Sequence, residues 1–423
     1  FHTDAGVTLG DSVVGTLSIY NNNRFGNYPD GTPRSASREL AQLVSRQIVR
    51  DVCAKFDPKW NSRGIMYRDL YEAKVPQVPA MLLELLSHQN FADMRYGLDP
   101  NFQFAVSRAI YKGILRFIAK RDHRECVVQP LPVSSFAIAE AAPGRVRLTW
   151  SPTADSLEPS ARPDRYAVLE RVGGERGFTE VAVVRTPTYT AAVTDTLLHS
   201  YRIVAINEGG RSFPSETLAY GRVNGAKGTV MVVNGFTRVS GPDWVDTCGI
   251  TGFTDEIDHG VPYISNANYI GSQYELKRSR RWRDDDSGGW GASRGNWEGR
   301  VVAGNTFDYP RVHGEAIMRA GYNFVSSSVK AVEDGSAPLG GYCAVDLIMG
   351  KQKTVPNGRG AYPDRYPVFT PALRSTVEAY CKGGGNVLLS GSYVASDVFD
   401  RTVPDSAAVR FASQVLGYRW GTD

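Results

Sequence analysis

Glu84 is the residue whose surroundings most demand a chemical explanation. It interrupts an apolar run, Val78-Pro79-Ala80-Met81-Leu82-Leu83-Glu84-Leu85-Leu86, that gives way to polar groups from Ser87 to Asn90. A short apolar run bounded by Pro79 and a polar stretch predicts a buried strand whose carboxyl end opens into a loop. In α/β folds, sites form at that end. A carboxylate carried there sits partly out of water, a situation that suits a general base acting on a metal-activated water. Far upstream, Phe1-His2-Thr3-Asp4-Ala5-Gly6 makes a second apolar-to-polar step and sets an imidazole, a common zinc donor, beside a small-residue turn. His88 follows Glu84 at a spacing that on a helix would make a metal pair. On a strand and loop it reads instead as a supporting group; Asp4 is expected to support the site or touch substrate, and Asn90 and Asp93 to bond loop backbone, with a contact to substrate as the lesser alternative.

The two stretches together resemble the zinc-dependent N-acetylmuramoyl-L-alanine amidases of cell-wall turnover. His2-Thr3-Asp4-Ala5 matches the Ser-x-His-x-Asn/Asp-Ala motif of that family's last zinc histidine, and Leu82-Leu83-Glu84 with Asn90 matches the Leu-x-Glu motif of its catalytic glutamate. Asp99 to Ala119 is similar to the closing helix, so the resemblance extends over residues 1 to 120. The spelling FHTDAG with ELLSHQNFAD looks most like the multidomain branch of Bacteroidetes-type bacteria, often labelled xanthan lyase. The resemblance implies hydrolysis of the amide between the lactyl group of N-acetylmuramic acid and L-alanine, with Glu84 as base and His2 as a ligand to Zn2+. It also implies a periplasmic, outer-membrane-associated or secreted protein acting on peptidoglycan or another polysaccharide. The family's first zinc histidine lies in a Gly-His-Gly-Gly motif ahead of the matched region, and no Gly-His-Gly occurs among these 423 residues. The zinc ligand set is therefore expected to be incomplete and the chain as given inactive.

The expected fold class is multidomain: an α/β amidase-like part, an all-β fibronectin type III sandwich and an α/β Rossmann-like part. In the first, over residues 1–120, Leu40, Val44, Ile48 and Val52 recur at helical spacing. They predict a helix from Ser35 to Val52, capped by Ser35 or Ser37 and with Glu39 in its first turn. Asp99 as cap, Pro100 at the first position and the stripe Phe102, Val106, Ile110 and Phe117 predict another. Residues 121–132 read as a linker. From 133 to 223, alternating segments such as Val146-Arg147-Leu148-Thr149-Trp150 and Tyr201-Arg202-Ile203-Val204-Ala205-Ile206-Asn207 predict a β-sandwich resembling a fibronectin type III module. From 224 to 423, strands at Gly228–Val233, Val345–Met349 and Gly385–Leu389 alternate with helices at Arg311–Ala320 and Pro371–Cys381, the pattern of a parallel sheet. The joint at Cys381 to Ser390 resembles the class I glutamine-amidotransferase-like fold, with Ser390 and Ser392 at its sharp turn. No histidine follows them, so a structural or ligand-binding turn is the simpler reading of both serines.

Charge is balanced, 48 basic against 44 acidic residues, which gives no electrostatic footprint for nucleic acid. The Arg-rich insert from Lys277 to Trp297 reads as a solvated excursion. Five widely spaced cysteines lack a CxxC pair, and no apolar run approaches the length of a transmembrane segment. The first residue is not Met and falls within a motif, so both ends are expected to be cut. Two other readings stand beside the amidase: a non-catalytic carbohydrate-binding envelope protein, and a xanthan-type lyase, for whose base and carboxylate-neutralising cations no specific constellation is present.

Overall fold

The computed structural model describes residues 2–4, 12–21, 26–247, 251–253, 258–263, 272–273, 293–294, 304–305, 308–357 and 362–421. The Arg-rich stretch lies outside these except for residues 293–294. Contacts gather the chain into two compact units, Phe1–Cys126 with Val239–Gly304, and Val127–Arg238 with Asn305–Asp423.

The first unit contains β1 (His2–Asp4), β2 (Thr16–Tyr20), α1 (Ala36–Lys55), β3 (Ser62–Tyr67), α2 (Tyr71–Lys74), β4 (Met81–Ser87), α3 (Phe91–Gly97) and α4 (Pro100–Arg121). Its sheet runs in the order β1-β4-β2-β3. β1 is parallel to β4, whereas β2 is antiparallel to β4 and parallel to β3. Leu83 and Leu85 of β4 join a core with Leu40, Val44, Ile48 and Val52 of α1 and Phe102, Val106, Ala109 and Phe117 of α4. The two helices approach closely at Gly113, where a Cβ would stand 2.7 Å from the Val44 Cα. They are also tied by Lys112 Nζ and Asp51 Oδ2 at 2.6 Å, both buried, with Gln47 donating a second bond to Asp51. Asp99 caps α4 as its sequence predicts. α1 departs from expectation: Ser35 makes no side-chain cap, and Ser37 is buried, its hydroxyl bonded to Tyr28 Oη and to the Ala80 N–H. The Ser37 hydroxyl is therefore spent on joining the segments before α1 and β4.

Residues 239–247 and 251–253 also pack in this unit. Short strands Trp244–Asp246 and Thr251–Phe253 place Trp244 and Phe253 against Phe91, at ring-centroid distances of 5.8 and 5.7 Å, and Arg95 stacks over Trp244. A segment that follows the sandwich in sequence thus supplies aromatic side chains to the amidase-like core.

In the second unit, β5 (Ser134–Ala142), β6 (Arg145–Ser151), β7 (Arg165–Val172), β8 (Thr179–Val184), β9 (Thr188–Ala192), β10 (His199–Asn207), β11 (Gly210–Arg211) and β12 (Leu218–Tyr220) make a fibronectin type III-like sandwich. β5, β6 and β9 form one sheet; β8, β7 and β10 form the other, with β11 and β12 on β10. Beyond it, strand Thr229–Asn234 lies parallel to both Asn323–Ser328 and Ala344–Gly350, and the latter lies parallel to Val387–Gly391. This α/β layer is not a detached module. Its Asn323–Ser328 strand pairs antiparallel with β5 through Ser327 and Ala137, making one mixed sheet of seven strands, and the buried core runs through both parts.

His199 of β10 is buried between two carboxylates, Nδ1 at 2.9 Å from Glu170 Oε1 and Nε2 at 3.0 Å from Asp195 Oδ1, while Tyr201 donates to Glu170. Both ring nitrogens face acceptors, so the imidazolium satisfies them best. Burial opposes that charge, but the two carboxylates outweigh it and hold the His199 pKa above its ordinary value. Its charge contributes stability in full below about pH 6.5, the unfolded-state value, and loses it as pH rises through the higher folded-state pKa. The stability difference between wild type and His199→Gln, measured by urea unfolding, is expected to be largest near pH 6 and to shrink toward pH 9, both values rough guides. A difference independent of pH would show that His199 has the same pKa folded and unfolded.

Candidate active site

The parallel pairing of β1 and β4 sets His2 in register with Glu84. His2 Nδ1 lies 3.6 Å from Glu84 Oε1, the imidazole half exposed and the carboxylate 14% exposed. Glu84 Oε2 is buried and, among the described residues, has no hydrogen-bond partner. On its other edge β4 aligns Glu84 with Leu17 of β2. That edge is secured by a buried relay in which Trp60 Nε1 donates to Thr16 Oγ1, which in turn donates to the Leu85 carbonyl.

Asp4, two residues along β1, accepts from Arg63 Nη1 at 2.6 Å. Sequence reading did not single out Arg63. Thr16 pairs with Ser62 and Leu17 with Gly64, so Arg63 is an extra residue in β3, a bulge accommodated by Gly64 at φ +111°. An isolated glycine in a strand was the available signal, since glycine marks bulges and bulges re-aim side chains. Arg63 Nε and Nη2 are also buried without a partner among the described residues.

The remaining candidates are placed differently. His88 Nδ1 is 3.1 Å from Thr3 Oγ1, and its backbone N–H donates to the Asp4 carbonyl, so it buttresses β1. Asn90 caps α3, accepting from the Asp93 N–H and donating to the Ser12 carbonyl. Asp93, wholly buried, accepts from the N–H groups of Val14 and Ser87 and so pins the carboxyl end of β4. Ser390 aligns with Ile348 at the end of strand Val387–Gly391, and the Ser392 N–H donates to the Gly350 carbonyl. Both serines belong to the second compact unit, whereas Glu84 belongs to the first.

Among the described residues no three His, Cys, Asp or Glu side chains gather so as to hold a metal ion. Catalytic zinc is usually held by three protein ligands. His2 and Glu84 fall short of that number and do not by themselves fit the ion.

Residues 1–116 match the family model described as N-acetylmuramoyl-L-alanine amidase, a family that is zinc-dependent. No match to a curated protein was found. Among solved structures, the chain is similar to the fibronectin type-III domain of human fibronectin type III domain containing protein 3, at 21% identity over 23% of this chain and 89% of that one, TM-score 0.20. It is also similar to titin domains A168–A170, at 23% identity over 21% of this chain, TM-score 0.19, and spans 30% of that titin fragment. A third is the FN5 domain of Drosophila Lar, at 13% identity over 23% of this chain and 99% of that one, TM-score 0.19. Among the described residues no helix is long and apolar enough to cross a membrane.

Asp93→Ala is expected to leave the Val14 and Ser87 N–H groups without their acceptor. At about 1–3 kcal/mol for each of two buried unsatisfied donors, the loss should amount to roughly 2–6 kcal/mol. Chemical denaturation of the variant is the measurement, and a change under about 0.5 kcal/mol would show that other groups take over both bonds.

Proposed function

We propose that residues 1–116 carry part of a site that hydrolyses the amide between N-acetylmuramic acid and L-alanine, with Glu84 as general base and His2 as one donor to zinc. The observation that carries this reading is the register of β1 with β4, which sets His2 beside Glu84 and leaves Glu84 Oε2 unpartnered among the described residues, within the stretch that matches the amidase family. In the proposed reaction a Glu84 oxygen takes a proton from the attacking water as its oxygen bonds to the lactyl carbonyl carbon. The same proton passes to the alanine nitrogen as the C–N bond breaks, giving a lactyl carboxylic acid and a free amine, and the acid's remaining proton then moves to the amine to leave carboxylate and ammonium. Asp4, His88 and Asn90 act through the backbone and Arg63, by holding β1 and the loop after β4 in place.

The reading puts the protein in the cell envelope or outside the cell, with peptidoglycan as its partner. The sandwich and the α/β layer then serve as spacing or presentation, and Ser390 and Ser392 as a structural turn.

In a protein that joins this chain to a segment carrying the family's Gly-His-Gly-Gly motif and zinc glutamate, Glu84→Gln is expected to keep the fold and the zinc content while lowering muramoyl-amide hydrolysis by about 10²–10⁴-fold, the usual worth of a general base. The readout is release of the alanyl amine from muropeptides. A variant as fast as its parent would remove Glu84 from the role of base. Muropeptides bound but left intact by that joined protein, with Glu84 in place, would turn the assignment to a carbohydrate-binding envelope protein.

A further inference from the structure

We propose that the α/β layer of the second unit holds a binding site of its own, a cavity at the carboxyl ends of its central strands that takes a neutral, hydroxylated ligand the size of one sugar ring. The inference is independent of the amidase reading. Strand Thr229–Asn234 has Asn323–Ser328 on one side and Ala344–Gly350 on the other, all parallel. Helix Tyr309–Arg319 packs on one face of these strands, with Ile317 and Met318 against Val230 and Val232. Helices Val329–Glu333 and Pro371–Lys382 pack on the other, with Val332 and Val377 in the core around Met231 and Leu347. The chain therefore leaves Thr229–Asn234 and Ala344–Gly350 toward opposite faces, and in open α/β sheets ligands bind in the crevice that such a switch opens at the carboxyl ends of the strands. A cavity of about 190 Å³ lies there, lined by Gly235 and Thr237 after the first strand, Val329 and Lys330 after the second and Gln352 after the third.

The walls are held in place by the fold itself. Gln352, buried, accepts from the Thr237 and Arg238 N–H groups and donates to Thr237 Oγ1, which fixes the loop after the first strand. Asp397 accepts from the Val368 N–H and from Thr354, and so holds the wall in which Tyr366 keeps a left-handed φ of +62°. For a residue with a Cβ that conformation costs about 1–2 kcal/mol, and such strain gathers at ligand sites. Charge inside the cavity cancels. Lys330 Nζ stands 4.0 Å from Glu333 Oε2, too far for a hydrogen bond and near enough for one oxygen between them to bond both. Glu333 Oε1 accepts from the Thr370 hydroxyl, whereas Oε2 has no hydrogen-bond partner among the described residues. A hydroxyl suits that gap because it donates to the carboxylate and accepts from the ammonium at once. An ion of either sign would meet its like charge in the pair. Val368 and Leu373, both buried, add the apolar wall against which the C–H face of a sugar ring packs. The competing occupant is water alone.

The test is titration of the whole chain with methyl β-D-glucopyranoside, followed by saturation-transfer NMR, with L-alanine as a zwitterion of smaller size. The glucoside is expected to bind saturably with a Kd on the order of 0.1–10 mM, the range open to a small polar ligand with few contacts. Two variants locate it. Thr237→Trp, at an exposed position on the rim, should fill the cavity, and Glu333→Gln should remove the acceptor; each is expected to weaken binding at least about tenfold. Should Glu333→Gln fail to fold, Thr237→Trp decides by itself. Glucoside binding unchanged in Thr237→Trp would overturn the proposal, since the ligand would then sit elsewhere. L-Alanine bound in place of the glucoside would overturn it as well, and so would the absence of saturable binding, the mark of a cavity that holds water only. None of these outcomes touches the assignment of Glu84 and His2.

Discussion

Strand β4 has no free side, and the amidase-like unit is arranged around that constraint. Its edges are taken by β1 and β2, and Leu82, Leu83, Leu85, Leu86 and Ser87 are all buried. Side chains alternate along a strand, so a slip of one residue would carry Glu84 into the face packed on α1 and α4, where Leu83 and Leu85 now sit. The cost of burying an unpaired carboxylate there opposes such a slip. Asp93 holds the end of the strand through the Ser87 N–H, and the Trp60 to Thr16 to Leu85 relay holds its edge against β2. On β4 so held, β1 pairs in the register that sets His2 opposite Glu84.

In the second unit the same economy of buried strands joins two parts that sequence divides. Strand Asn323–Ser328 pairs with Thr229–Asn234 on one edge and reaches β5 of the sandwich on the other. Ser326, fully buried, both accepts from the Ala219 N–H and donates to the Ala219 carbonyl, which ties the strand to β12 as well. Shared backbone pairing and a continuous core give the sandwich a fixed orientation on the α/β layer. A flexible linker would not do so.

What the sequence made legible follows the strength of its apolar pattern. The β4 strand and helices α1 and α4 stand out because their buried positions are filled by Leu, Val, Ile and Phe at one consistent period. The sandwich strands stand out for the same reason, with Trp150 packed edge-on against Tyr166. The strand Asn323–Ser328 was missed because half of it is serine, whose burial is made acceptable by tertiary hydrogen bonds that no local pattern reveals. The Ser35 cap failed for a related reason: a nearby buried hydroxyl, Ser37, was committed elsewhere. Arg63 escaped notice because its significance lies in a bulge and in a partner on a strand far away in sequence. The aromatic contribution of Trp244 and Phe253 to the first unit is likewise a long-range fact, invisible to any window of neighbouring residues.

The division of charge at the site follows from which carboxylate Arg63 meets. Asp4 and Glu84 lie on adjacent strands, and a guanidinium crossing the sheet could pair with either. It pairs with Asp4. Had it bonded Glu84, it would occupy the oxygen that a general base must present to water and leaving amine. Asp4 thus has a use beyond holding β1: it takes up one corner of the guanidinium and keeps that cation off the proposed base. That separation depends on both geometric peculiarities at once, the bulge that lifts Arg63 out of β3 and the irregular step between His2 and Asp4 in the pairing of β1 with β4. With a regular β3 the arginine would follow the ordinary alternation of its strand; with a regular β1 the spacing of Asp4 from Glu84 would be that of any two ladder positions. The site is therefore written in two small departures from ideal sheet geometry as much as in the residues that a motif can name.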